Sequence, residues 1–259
     1  MKDKTFVCAL GVAICQVMYA GTIVNSSLSL THLQITPSLG TDSGFVQIQP
    51  GVYGPVFAGV YDSLGELDTE FNFNIDGPAS ISASVSLASA SAAADGSLLT
   101  ASAISGVNVP DITANAATDP NANAQLSGTF EIVDTTNTGT NPVDVLFSAA
   151  LAASQSLVTT AYGNESSSEV TFQFSLPDIG AVPFLSYDNA LNFGSNQSVS
   201  VSSSPTLSAS TTLMTNTPYT FSLETDSESD GGSMTPEPAS MFLAAAGLAA
   251  LAAGRARRG

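Results

Sequence analysis

The chain has 259 residues, 44% of them hydrophobic and only 10% charged, against about 25% charged in an ordinary soluble domain. With 22 acidic residues, 5 basic ones and a net charge of −17, it has no basic face to set against phosphates, which excludes a nucleic-acid binder. All positive charge sits at the two ends, at Lys2, Lys4, Arg255, Arg257 and Arg258, while residues 21–235 carry 20 of the acids and no Lys or Arg.

Residues 1–20 begin with Lys2 and Lys4, continue in an apolar run from Phe6 to Ile14, and end in Met18, Tyr19 and Ala20. That order predicts a secretory signal peptide whose apolar core is too short to stay as a span. Ala20 suits the last position before a cut, although Met18 and Tyr19 fit the small-x-small rule poorly. The plain alternative is a buried N-terminal strand. A lipoprotein signal at Cys15 is disfavoured by Ile14, where a small residue is expected. Both cysteines, Cys8 and Cys15, lie inside this segment. Its removal would leave a chain without the usual disulfide staple, stabilised by an apolar core that this length can build.

From residue 21 to 223, apolar residues alternate with Ser, Thr and Asn, as in Phe71 to Ile75, Ile81 to Leu87, Val170 to Leu176, Val199 to Val201, Leu207 to Ala209 and Tyr219 to Leu223. A period of two means one face inward and one face wet. Turn signals separate the runs at Asp76-Gly77-Pro78, Asp95-Gly96, Asp119-Pro120-Asn121, Asn141-Pro142 and Ser204-Pro205. The expected fold is all-β: a single antiparallel domain, sandwich-like or barrel-like. Two Ala-rich stretches, 88–94 and 149–153, have helical propensity. Ser alternation before the first favours strand, and Val143 to Thr160 reads as strand, helix or both.

Chemistry is sparse in this body. His32 is the one histidine, no Gly-x-Ser-x-Gly elbow occurs, and Tyr61-Asp62-Ser63-Leu64 lacks the glycine of a hydrolase block. His32 shares strand parity with Leu28 and Leu30, so it reads as a partly buried or edge-strand residue, not a base. The densest acids are Asp62, Glu66, Asp68 and Glu70, the last three alternating opposite Phe71 and Phe73. They read first as a solvated edge that blocks strand pairing. Second, Glu66, Asp68 and Glu70 are weak candidates for calcium, which takes oxygen ligands. Third, they are a carboxylate pair for a glycosidase. One His and no mature Cys argue against zinc or iron, and no cofactor is expected. A sugar platform needs flat aromatic faces. Trp is absent, and Tyr53, Tyr61, Tyr162, Tyr187 and Tyr219 read more simply as strand residues. The Asn-x-Ser sequences at 25–27, 164–166 and 196–198 are surface-loop hints at most.

Residues 224–234 are acidic with Gly and Ser, and read as a linker. Asp226, Glu228, Asp230, Gly231 and Glu237 nearly fit a calcium-loop pattern, but Pro236 intrudes and no helix precedes them. Beyond lie Pro236, Glu237 and Pro238, an uncharged stretch over 239–254, and Arg255, Arg257 and Arg258. The uncharged stretch as a helix would span about 24 Å, a transmembrane helix somewhat short of the hydrocarbon core, with the arginines as a cytoplasmic anchor. The prolines keep Glu237 extended at the membrane face. This tail, about residues 235–258, resembles the PEP-CTERM sorting signal of exported proteins in Gram-negative bacteria that make exopolysaccharide. The resemblance implies processing by exosortase, an integral-membrane cysteine peptidase or transpeptidase that cuts near the motif. It implies inner-membrane anchoring before the cut and a cell-surface or extracellular place after it.

The expectation is therefore an exported surface or matrix protein, structural or interacting with exopolysaccharide, and not an enzyme. The alternatives are an adhesin-like or lectin-like module, with calcium as a candidate requirement, and, behind it, a matrix hydrolase.

Overall fold

The computed structural model describes residues 21–39, 44–49, 51–75, 77–109, 116–159 and 166–233. The described regular elements are strands, apart from one 3-10 turn at Pro177–Ile179. Two seven-stranded sheets face each other. Sheet A runs in the order β12 (Gln197–Ser203), β9 (Pro142–Thr159), β1 (Thr22–Pro37), β7 (Thr100–Val109), β6 (Ala88–Asp95), β5 (Pro78–Ser84), and β13 (Thr206–Met214) shares the β9 edge with β12. Sheet B runs β11 (Ala181–Phe193), β10 (Ser166–Leu176), β14 (Pro218–Ser233), β8 (Ala116–Asp134), β3 (Tyr53–Asp62), β4 (Leu67–Ile75), and β2 (Gly44–Ile48) pairs β8 beyond β3. Every pairing is antiparallel. The expected antiparallel sandwich is the fold observed.

The core between the sheets changes character along its length. At one end Phe130 of β8, Phe147 of β9, Phe174 of β10 and Phe221 of β14 are buried. Their rings interlock, Phe130 on Phe147 at 5.9 Å and Phe147 on Phe174 at 5.6 Å between centroids. At the other end the inward positions are small and polar. Ser26 of β1, Ser105 of β7, and Ser227 and Ser229 of β14 are all buried. The Ser26 hydroxyl lies 2.7 Å from those of Ser105 and Ser227 and 2.9 Å from that of Ser229. Hydroxyls can donate and accept, so four of them satisfy one another where an isolated one would be costly. Thr22 extends the polar end, donating to the Gly232 carbonyl at 2.6 Å.

That polar end corrects the reading of residues 224–234 as a linker. Residues up to Ser233 belong to β14, an interior strand of sheet B between β10 and β8. The alternation was there, but the inward set is Thr225, Ser227 and Ser229 instead of aliphatic residues. Pro120 likewise lies inside β8 rather than in a turn. Its missing N–H coincides with the gap in β8–β14 pairing between Asn121 and Thr118. Both Ala-rich stretches are strands, in β6 and β9, with every second residue turned into the core. Burial on one face of a sheet overrides a helical propensity of this size.

His32 is also placed differently from the expectation. The β1–β9 register shifts between Leu30 and His32, so Leu30 and Leu33 both face the core and His32 is exposed. A β-bulge breaks the parity on which the expectation rested. The predicted signal peptide at 1–20 and the transmembrane helix at 239–254 lie outside the described residues. Among the described residues no helix is long and apolar enough to cross a membrane.

Candidate functional site

The outer face of sheet B gathers most of the unusual side chains. Because Leu223, Thr225, Ser227 and Ser229 are buried, Glu224, Asp226, Glu228 and Asp230 project from the other side of β14. Strand register sets Gln125, Asn123 and Asn121 of β8 beside the first three. Asn123 donates to Glu224 at 2.5 Å and to Asp226 at 3.3 Å, and Gln125 donates to Glu224 at 3.0 Å. On the opposite flank Glu169 of β10 pairs directly with Glu228, a like-charge juxtaposition that costs stability.

The electrostatics follow from that crowding. Partial burial, then repulsion from Glu224, pushes the Asp226 carboxyl up despite the Asn123 amide. Glu228 is raised by burial and then by Asp119, Asp226, Glu169 and Asp230. Asp230 is raised by burial and by Asp119. No lysine or arginine occurs between residues 21 and 235 to neutralise the face.

Beside this ladder runs an apolar stripe. The inner face of β3 is made of Val56, Ala58 and Val60, all buried. Tyr53, Phe57 and Tyr61 therefore face outward, and their partners on β4 by register are Phe71 for Phe57 and Leu67 for Tyr61. Tyr53, Tyr61, Phe71, Phe73 and Leu67 are 53%, 55%, 56%, 63% and 68% exposed. The Phe71 and Phe73 rings meet edge to face with centroids 4.8 Å apart. Phe57 lies over Gly59, where an added Cβ would come within 2.6 Å of its ring. The missing side chain lets that ring lie flat on the sheet. Of the other tyrosines weighed, Tyr187 bonds the Ser203 hydroxyl at 2.9 Å and Tyr219 is buried, accepting the Met214 N–H at 2.7 Å. Tyr162 lies outside the described residues.

The calcium candidates fall on the opposite side of β4. Asp68 and Glu70 pair with Val60 and Ala58, so they share the core side of the sheet. β4 is the edge strand, and these acids sit at the open mouth of the sandwich. Asp68 accepts the Ser84 N–H at 2.8 Å, and Glu66 accepts the Ser86 N–H at 2.9 Å and its hydroxyl at 2.7 Å. The Ser86 bonds hold the Glu66 carboxyl below its usual range. Glu70 is exposed. Opposite faces for the acids and Phe71 and Phe73 are observed, but the phenylalanines take the outside. The β3–β4 register sets the faces: Asp68 and Glu70 stand opposite the inward Val60 and Ala58, and Phe71 opposite the outward Phe57. Among the described residues no three His, Cys, Asp or Glu side chains form a metal-binding group.

Fold and surface define an acidic, all-β, two-sheet body with large apolar side chains displayed on one face. The tail says where such a body goes: residues 235–258 match the PEP-CTERM protein-sorting motif. The motif implies export, membrane-associated sorting and processing by exosortase. Pro236, Glu237, Pro238, Arg255, Arg257 and Arg258 fall within the match and outside the described residues. No curated protein and no solved structure matches the chain.

Proposed function

We propose that the exported body is a non-enzymatic surface or matrix protein that lies against exopolysaccharide with the outer face of sheet B. The observation that carries this is the stripe of Tyr53, Tyr61, Leu67, Phe71 and Phe73, each more than half exposed on one face. Contiguous apolar surface of this kind marks an interaction site. A sugar ring has an apolar face that suits a flat aromatic ring and hydroxyl edges that suit amides and carboxylates. Here Asn121, Asn123 and Gln125 stand one strand away from Phe57 and Tyr61. The net charge of −17 favours a neutral polymer over a polyanion.

The test is affinity electrophoresis of the exported protein through gels containing exopolysaccharide, with Tyr61→Ser and the double variant Phe71→Ser, Phe73→Ser. Retardation by the polymer, lost in the variants at unchanged melting temperature, is the expected result. Equal mobility with and without polymer would overturn the proposal. On a glycan array, graded binding to many neutral polymers supports the matrix role. Tight binding to one glycan supports the adhesin-like or lectin-like alternative.

A further inference from the structure

The turn joining β3 to β4 contains a buried carboxylate that the hydrogen bonding does not fully use. Asp62 is the last residue of β3 and is completely buried. Its Oδ1 accepts the backbone N–H of Leu64 at 2.9 Å and of Glu66 at 3.1 Å, which shapes the turn. Its Oδ2 has no hydrogen-bond partner among the described residues. The Glu66 N–H bound to Oδ1 holds that residue against the Asp62 carboxyl. A buried carboxylate with an idle oxygen, in a turn that carries a second carboxylate at Glu66, calls for a positive charge beside it. The chain has no lysine or arginine from residue 21 to 235 to supply it.

The geometry points to a divalent hard cation, calcium, held at the mouth of the sandwich by Asp62 Oδ2 and the Glu66 carboxylate. The donors are all oxygen, with no His or Cys beside them, which suits calcium rather than zinc. Two carboxylates leave the rest of the shell to water and carbonyl oxygens, and so few charges give the weak affinity of extracellular modules, about 10⁻⁴ to 10⁻³ M. Glu66 already bonds Ser86 in the turn between β5 and β6. A cation on Glu66 would therefore tie the edge of sheet B to the edge of sheet A. This site is separate from the aromatic face and does not depend on what that face binds. It differs from the trio Glu66, Asp68 and Glu70 in resting on Asp62, whose Oδ2 is buried and without a hydrogen bond.

The experiment is calorimetric melting and isothermal titration of the exported protein with calcium chloride, with magnesium chloride as the comparison. The variants are Asp62→Asn, Glu66→Gln and Asp68→Asn. Asn at 62 keeps an oxygen for the Leu64 and Glu66 N–H groups, so the turn survives the change. The melting temperature is expected to rise with millimolar calcium. Affinity should fall roughly tenfold or more in Asp62→Asn and in Glu66→Gln and stay unchanged in Asp68→Asn. A protein that melts at the same temperature with and without calcium overturns the inference. A calcium response equal in all three variants also overturns it, and assigns the ion to the ladder on β14.

Discussion

Ser26 of β1 and Ser227 of β14 meet hydroxyl to hydroxyl at 2.7 Å between the two sheets, in a core where Ser105 and Ser229 complete the group. A single Ser227→Ala substitution removes one member and leaves the others with fewer partners than oxygens. The expected cost is about 1 kcal/mol, read from urea melts. Ser26→Ala and Ser227→Ala together should cost less than the sum of the two, because both break the same contact. Strict additivity would mean that the four hydroxyls act separately.

The face of β14 sets the response to acid. Asp226, Glu228 and Asp230 titrate above their ordinary values of 3.8, 4.5 and 3.8, so the folded chain takes up protons before the unfolded one. Their contribution is fully present below the ordinary values and lost as pH rises through the raised ones. Glu66, Asp95, Asp134 and Asp178 are lowered, chiefly by bonds from Ser86, Ser97, Thr136 and Thr220. Their contribution is present above their ordinary values and fades as pH falls through the lowered ones. Stability should therefore rise as pH falls from neutral toward the ordinary carboxylate range and fall again below that range. Melting curves across this range check it, and Asp226→Asn should flatten the rise on the neutral side.

Relief of the direct Glu169–Glu228 pairing is a separate effect at constant pH. Glu228→Gln should stabilise the protein at pH 7 by about 0.2–1 kcal/mol, a rise in melting temperature of up to about 4 °C. In the Glu169→Gln background the same change should gain much less, since the repulsion is already gone. An undiminished second gain would show that the two carboxylates do not feel each other.

What the sequence made legible was decided by the chemistry of the inward residues. Val170, Phe172 and Phe174 in β10 alternate with polar residues and announce a buried face, and that strand lies where the pattern puts it. Thr225, Ser227 and Ser229 alternate just as regularly; the Thr225 hydroxyl is buried without a hydrogen-bond partner among the described residues, whereas those of Ser227 and Ser229 are met by other hydroxyls. Those partners, Ser26 and Ser105, are more than a hundred residues away. Phe71 and Phe73 failed for the converse reason. Their periodicity was visible, but which face looks inward was settled by the register with Pro55 and Phe57. The acids at Glu66 and Asp68 were noticed, whereas the backbone N–H groups they accept come from the other sheet.

Gly54 is a place where backbone approaches backbone. A Cβ there would sit 1.8 Å from the Gln125 carbonyl oxygen, so β3 and β8 could not stay paired at that point. Gly54→Ala should cost at least the upper end of the roughly 1–3 kcal/mol of ordinary overpacking, since no side chain can rotate away. Gly65→Ala has open space but a φ of +89°, and its cost should be a smaller one, from backbone strain alone. Chemical denaturation of both variants gives the comparison, and equal costs would refute the close approach.

The folded body extends through β14 to Ser233. If residues 224–233 were a tether, a chain trimmed to 21–223 would melt like one ending at 233. Instead they supply Thr225, Ser227 and Ser229 to the core and pair along β8 and β10. Trimming at 223 would strip β8 and β10 of their shared neighbour over much of their length. It would expose Ser26 and Ser105 and leave two unpaired strand edges inside sheet B. The shorter chain is expected to lack a cooperative thermal transition and to aggregate, while the one ending at 233 melts in a single step. Amide hydrogen exchange separates strand from tether without trimming. The N–H groups of Thr225 and Ser227 should be protected as strongly as those of Phe172 and Phe174, whereas a linker would exchange at once.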